Sequence, residues 1–364
     1  METPPNFSRT IAYIDLKALL HNLSLVKKNA PQNKMLAMVK SQAYGHGAIK
    51  ISQSLKSQID ALAVASIDEA LELRANKIHT RIVLWGGFLN KQELQVIVNH
   101  DIETLIYNFE QIDILEHSTL IKPVKIWLKI DTGMHRLGFQ AHEIVAANNY
   151  LKKIKSVAKP LHYMTHFSDA SIITSPKTLH QIADFKKLTT DWEGEKGFAN
   201  SAAILHWSDS YCEWIRPGII LYGISPINEV SGQELGFTPV MTLASKIVAI
   251  KTISKGEAVS YDSTWVAPKD TRIGIVAIGY GDGYPQHIRS DTKVLINNTY
   301  CTIVGKVCMD YIAIDLTNSP DSKVGDQVIL WGRGLPVEDI AKQAGTSPYE
   351  LCCQLTRRVI FEYQ

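Results

Sequence analysis

The first two-thirds of the chain alternates short, almost unbroken apolar runs with amphipathic stretches. Residues 34–39 (KMLAMV), 61–65 (ALAVA) and 81–85 (RIVLW) are the first such runs. They are followed by 104–107, 124–130 (VKIWLKI), 161–165, 198–204 and 215–222. Strands that are apolar on both faces belong to a parallel sheet covered by helices. The stretches between them carry helix signals. Ser66 with Glu69 makes a capping box ahead of Ala70, Leu71 and Leu73, and Asn90 with Glu93 repeats it ahead of Leu94, Ile97 and Val98. Ser175 followed by Pro176 offers an N-cap with proline at the first helical position, and Leu179, Ile182, Phe185 and Leu188 then recur at helical spacing. Asp15 stands ahead of Leu16, Leu19, Leu20 and Leu23 in the same way. About eight strand–helix units predict a (β/α)8 TIM barrel, in which chemistry sits at the C-terminal ends of the strands.

The pattern changes near Gly236. Beyond it, short β-like runs alternate with turns: 274–279 (GIVAIG), 293–296, 302–305 and 327–331. Asn297-Asn298 between two such runs signals a hairpin. The chain therefore divides into an α/β barrel over 1–236 and a mostly β domain over 237–364, ending in a helix at 337–344.

Composition then removes several classes of function. The 364 residues suit two domains, one of them large. Lysine plus arginine number 38 against 36 aspartates and glutamates, so neither nucleic acid nor an anionic membrane is expected as a partner. No apolar run reaches the ~18 residues of a membrane span, and 1–10 lacks the apolar core of a secretory signal. The five cysteines are Cys212, Cys301, Cys308, Cys352 and Cys353, without CxxC spacing. That pattern fits a reduced, cytoplasmic protein and predicts no metal site.

Several stretches carry candidate chemistry. Lys40 in AMVKSQAYGHG ends an apolar run, where desolvation lowers the cost of losing its proton. An amine so placed can condense with an aldehyde cofactor. Arg136 in KIDTGMHRLGF follows a strand and a tight turn, and a fixed guanidinium there suits a carboxylate. His166 ends the 161–165 run. Asn200 and Ser201 in ANSAAIL, and Gly218 and Ile219 in WIRPGIILYG, lie on turns near the last two strands, where barrels keep phosphate sites. In the second domain, Tyr261 (AVSYDSTW), Tyr280 and Tyr284 (GYGDGYP) and Met309 and Asp310 (VGKVCMD) suggest a lined pocket. Each piece alone also reads as ordinary structure: a surface lysine, a salt-bridging arginine, a packed histidine, a tight turn.

Together and in order, the pieces resemble the alanine racemase family over nearly the whole chain. KSQAYGHG is similar to the family's cofactor-lysine signature, with Ser41-Gln42 in place of the usual small pair. The resemblance implies pyridoxal 5'-phosphate on Lys40 and a head-to-tail homodimer. It implies that Tyr44, Ser201, Gly218 and Ile219 hold the phosphate, that Arg216 faces the pyridine nitrogen, and that His166 pairs with Arg216. Arg136 would meet the cofactor and the substrate carboxylate, and Trp85 would stand where the family usually has a leucine beside the cofactor. Lys129 matches a lysine that many members carry as a carbamate. Tyr261 and Met309 would come from the partner subunit, with Tyr280, Tyr284 and Asp310 lining the entrance or the carboxylate pocket.

The implied reaction interconverts L- and D-alanine for peptidoglycan. Racemisation takes a proton from one face of a carbon and returns it on the other, so two bases solve the geometry. Lys40 would serve the D isomer and Tyr261 the L isomer. Asp262 departs from the family by placing a carboxylate beside Tyr261, and the tail reads Arg357-Arg358-Val359-Ile360 without the usual proline. Two alternatives stay open: a racemase preferring serine or another small amino acid, and a non-catalytic cofactor-carrying barrel.

Overall fold

The computed structural model describes residues 9–364. The opening stretch read above as lacking a secretory signal therefore lies outside the described residues, apart from Arg9 and Thr10. Lys34–Met38, Ala61–Val64, Arg81–Leu84, Ile102–Ile106, Ile126–Lys129, His162–Met164, Lys196–Ala199 and Trp214–Ile215 close into a parallel barrel. The last strand pairs back on the first through Lys34 with Trp214 and Met35 with Ile215. Because side chains alternate along a strand, each strand splits its apolar residues between two cores. Leu36, Met38, Ala61, Ala63, Val83, Trp85, Leu105, Trp127, Met164 and Trp214 fill the barrel interior. Ala37, Val39, Leu62, Val64, Ile82 and Leu84 face the surrounding helices. The helix signals operate as read: Ser66 and Glu69 form a complete capping box, Asn90 accepts from the Glu93 N–H, and Ser175 caps Pro176–Thr189.

Four expectations are corrected. The run at 198–204 is strand only to Ala199, because Asn200 caps a new helix, Ser201–His206, through the Ala203 N–H. The run at 215–222 breaks after Ile215, since Pro217 has no N–H to give a ladder, and Ile219–Tyr222 forms a 3-10 turn. The second domain does not end at Val337–Ala344; a helix, Pro348–Cys353, and a strand, Ile360–Tyr363, follow. Finally, Ile11–Ile14 lies ahead of the barrel in sequence but joins the second domain's sheet. It runs antiparallel to Met241–Ile253 and parallel to Ile360–Tyr363.

That sheet has eight strands, and its Lys293–Ile296 and Thr299–Val304 form the expected hairpin. Asn297 and Asn298 both adopt positive φ, of 48° and 62°, as a two-residue hairpin turn requires. No helix among the described residues is long and apolar enough to cross a membrane.

Candidate active site

The alternation that fills the barrel interior also dictates what lies at its C-terminal mouth. Two residues beyond the inward-facing Met38, Val83, Trp127, Met164 and Trp214 come Lys40, Trp85, Lys129, His166 and Arg216. All five therefore belong to one inward layer. It gathers basic groups with no carboxylate among the five, and Arg136 adds its charge from outside the layer. Burial, and then the charge of Arg136, lower the pKa of Lys40. Burial, Arg216 and Arg136 hold Lys129 far below the usual lysine range. His166 is held well below its usual range by burial and by the same cations, so it is neutral. Burial brings Arg216 down to about 9, which leaves it charged at neutral pH.

Arg216 is fixed without a carboxylate. Its Nη2 donates to the carbonyls of Thr165 and Phe198 at 2.8 Å each, and Nη1 lies 3.4 Å from His166 Nδ1. The guanidinium carbon sits 5.2 Å from the Trp85 ring centre, a cation–π distance. Its Nε is buried and has no hydrogen-bond partner among the described residues. Lys129 is 5% exposed and has no ion-pair partner among the described residues.

Arg136 stands on a loop shaped by Asp131, whose Oδ1 accepts the N–H groups of Gly133, Met134 and His135 at 2.9, 3.1 and 3.0 Å. The loop closes where Phe139 N–H donates to Lys129 O. Only glycine fits at 138: its φ is 122°, and a Cβ there would lie 2.8 Å from Asp131 N. The Asp131 carboxylate is thus spent on its own loop, leaving the Arg136 charge to the mouth.

Ser201, Gly218 and Tyr44 meet at one point. Ser201 Oγ accepts the Gly218 N–H at 2.9 Å, and a Cβ at Gly218 would fall 2.9 Å from Tyr44 Oη. Ile219 opens the 3-10 turn, where a first N–H has no partner within the turn. Tyr44 reaches this point from a turn in which Ser41, Gln42, Ala43 and Tyr44 all have φ between 51° and 54°. Four successive left-handed residues with side chains cost about 1–2 kcal/mol each. Asn200 Oδ1 accepts the Ala203 N–H and caps the helix that begins at Ser201.

The second-domain residues are placed differently. Tyr261 is 68% exposed and Met309 53%. Asp262 forms an exposed ion pair with Lys306. Tyr280 N–H donates to Cys308 O, and Asp310 pairs with Arg358 at 2.8 Å. Tyr284 is not part of this cluster. It is 1% exposed, stacked on Trp331 at 6.0 Å, because Gly283, with φ of 93°, turns the chain inward. The expectation that Tyr284 lines the entrance is corrected accordingly.

The N-terminal domain model of the alanine racemases matches residues 14–226, and the C-terminal domain model matches 240–363. The chain belongs to the alanine racemase family. It is 46% identical to the alanine racemase of Aeromonas hydrophila, across 97% of this chain and 99% of that protein. It is 44% identical to the alanine racemase of Haemophilus influenzae, across 98% and 99%. The crystal structure of the biosynthetic alanine racemase from Pseudomonas aeruginosa superposes with a TM-score of 0.95 at 37% identity, covering 98% of this chain and 100% of that one.

Alanine racemases use pyridoxal phosphate, and the mouth fits such a group. The unpaired Nε of Arg216 suits an acceptor such as a ring nitrogen. The Ser201–Gly218–Tyr44 meeting point suits a phosphate, and the basic layer with Arg136 suits an anion as a whole. Some members of this surrounding were not singled out in sequence. Glu69, besides its capping role, accepts the Ser41 N–H at 2.6 Å beside Lys40. The Pro348–Cys353 helix brings Tyr349 within 5.9 Å of the Tyr44 ring and places Cys353 in the field of Lys40. Glu69 was legible as a capping residue; the helix contact is long-range and left no local signal.

Proposed function

We propose that the chain interconverts L- and D-alanine with pyridoxal phosphate held at Lys40, using Lys40 and Tyr261 as bases on opposite faces of the substrate. The observation that carries this reading is the inward basic layer at the barrel mouth. It combines an amine of lowered pKa with a buried arginine that has one donor to spare. When bound, the cofactor supplies an electron sink that makes the substrate's α-proton removable. Tyr44, Ser201, Gly218 and Ile219 would hold its phosphate, and Arg216 would face its ring nitrogen with Trp85 behind. An arginine keeps its proton, so Arg216 limits how far charge is withdrawn and disfavours transamination.

Arg136 would bind the substrate carboxylate by paired hydrogen bonds. Lys129 would orient it as a carbamate: the neutral amine nitrogen bonds to the carbon of CO2, loses a proton, and becomes an anion that pairs with Arg136. Its burial and lack of a counter-ion support that modification. An intact mass taken in bicarbonate should show the added CO2; a bare lysine under those conditions would overturn this part.

Tyr261 and Met309, with Tyr280 and Asp310 beside them, would complete the site of a second copy in a head-to-tail homodimer. Their exposure in the single chain supports this. The division into a barrel unit and a second domain from 237 follows the same reading, with Ile11–Ile14 belonging to the second unit's sheet. Five free cysteines support a reducing, cytoplasmic setting, and supply of D-alanine to peptidoglycan is the role proposed.

The test is D-alanine formation from L-alanine by the purified protein with pyridoxal phosphate, alongside L-serine. Conversion of alanine that disappears in Lys40→Ala supports the reading. Faster turnover of serine, or cofactor binding without turnover, would replace it.

A further inference from the structure

We propose that His46 is a positioning residue for this site: its Nδ1–H, shared between the Ala43 and Tyr44 carbonyls, locks the left-handed turn that carries Lys40 and Tyr44 to the same mouth. The inference rests on the reading of Lys40 and Tyr44 as a cofactor-holding pair.

Nothing in the local sequence favours this turn. Ser41, Gln42, Ala43 and Tyr44 wind left-handed in succession, although none is glycine or asparagine. Such a backbone persists only where its surroundings over-determine it. His46 supplies much of that determination. Its Nδ1 lies 3.1 Å from Ala43 O and 2.8 Å from Tyr44 O, and its backbone N–H also donates to Ala43 O. The ring stacks on Tyr222 at 4.5 Å, and Tyr222 Oη donates to Met38 O at 2.8 Å. The contact therefore returns to the end of the strand from which Lys40 emerges. Space around the turn is closed: a Cβ at Gly45 would lie 1.9 Å from Cys352 O, and one at Gly47 would lie 1.9 Å from Tyr363 Oη.

The tautomer follows from the partners. Both are carbonyl oxygens, so Nδ1 carries the hydrogen and Nε2 is a bare lone pair. That Nε2 is buried with no partner among the described residues, an arrangement that costs stability. A phenyl ring would pack in the same place without that cost. What histidine alone contributes is the Nδ1–H, and its acceptors among the described residues are the two carbonyls of the turn. Burial keeps the ring neutral, with the pKa down to about 4.

His46→Phe and His46→Asn separate the donor from the ring. The first keeps the stack on Tyr222 and loses the donor; the second keeps an N–H near the Nδ1 position and loses the ring. Two readouts apply: pyridoxal phosphate affinity from absorbance titration, and amide hydrogen exchange in the cofactor-free protein. His46→Phe should weaken cofactor binding by about tenfold or more and speed exchange over 41–47, with the distant 293–304 hairpin unchanged. His46→Asn should recover most of both. Wild-type affinity and exchange in His46→Phe would overturn the proposal. So would equal losses in both variants with faster exchange throughout, which marks a residue that only packs. Should the wild type fail to bind pyridoxal phosphate, the cofactor reading falls, while exchange over 41–47 still decides the role of His46.

Discussion

Lys40, Lys129, His166 and Arg216 sit at the end of a packed barrel interior, whereas Tyr261 and Met309 stand on a thinly supported edge of the second domain. At the mouth, depth creates the chemistry. Burial brings an amine toward neutrality, keeps a histidine uncharged, and holds an arginine by carbonyls and an indole face. At the edge, the nearest supports are an exposed Lys306–Asp262 pair and the bond from Ser260 Oγ to Lys306 O. Exposed contacts of this kind fix little. The mouth is preorganised within a single chain, whereas the edge would acquire a dry environment only when something covers it.

The comparison can be broken at either half. Lys40→Ala removes the amine that, on the proposed reading, holds the cofactor and transfers a proton. Conversion of L- to D-alanine should fall by about 10⁴-fold or more in a chiral assay. Tyr261→Phe should lower turnover by about 10²- to 10⁴-fold, with the unfolding midpoint little changed because the hydroxyl supports nothing within its own chain among the described residues. A large stability loss in Tyr261→Phe would mean that the hydroxyl helps to hold the fold as well as serving the chemistry.

A smaller effect sharpens the contrast through pH. His46 titrates at 6.5 when unfolded and at about 4 when folded. Between those values the unfolded chain binds the extra proton. Stability is therefore full above pH 6.5 and is lost as pH falls toward 4, by up to ~3 kcal/mol. His166 acts in the same direction. Denaturant titrations at pH 7 and pH 4.5 should show the loss, and His46→Phe should remove the His46 share and leave that of His166. The smallest effect belongs to the edge: Asp262→Asn breaks an exposed pair, and its stability change should stay under about 1 kcal/mol.

In the sequence, Lys40 was legible as the end of an apolar run and His166 as the end of a strand, whereas Trp85, Lys129 and Arg216 came only with the family resemblance; the structure supplies the common reason, a period of two. The alternation that places Met38, Val83, Trp127, Met164 and Trp214 inside also places Lys40, Trp85, Lys129, His166 and Arg216 together. Capping at Ser66 and Asn90 was legible from local spacing. What escaped is non-local or locally disfavoured. The four residues of Ile11–Ile14 contain no sign that they pair with Ala244 and Ile360. The left-handed turn runs through Ser-Gln-Ala-Tyr, where no residue invites it. Tyr284 looks like a loop tyrosine among glycines, yet its place is decided by Trp331, far along the chain. The corrected strand ends at Asn200 and Pro217 show a cap and a missing donor overriding an apolar run.

The central claim is that one site draws on two copies of the chain, and mixing two inactive variants tests it most directly. Lys40→Ala and Tyr261→Phe are unfolded together, refolded as a mixture, and assayed for D-alanine formation. If Lys40 of one copy works with Tyr261 of the other, half of a statistical mixture is hybrid, and each hybrid carries one intact site. Activity should then return to about a quarter of the wild-type level. A mixture no more active than its components would contradict the account and place both bases within a single chain.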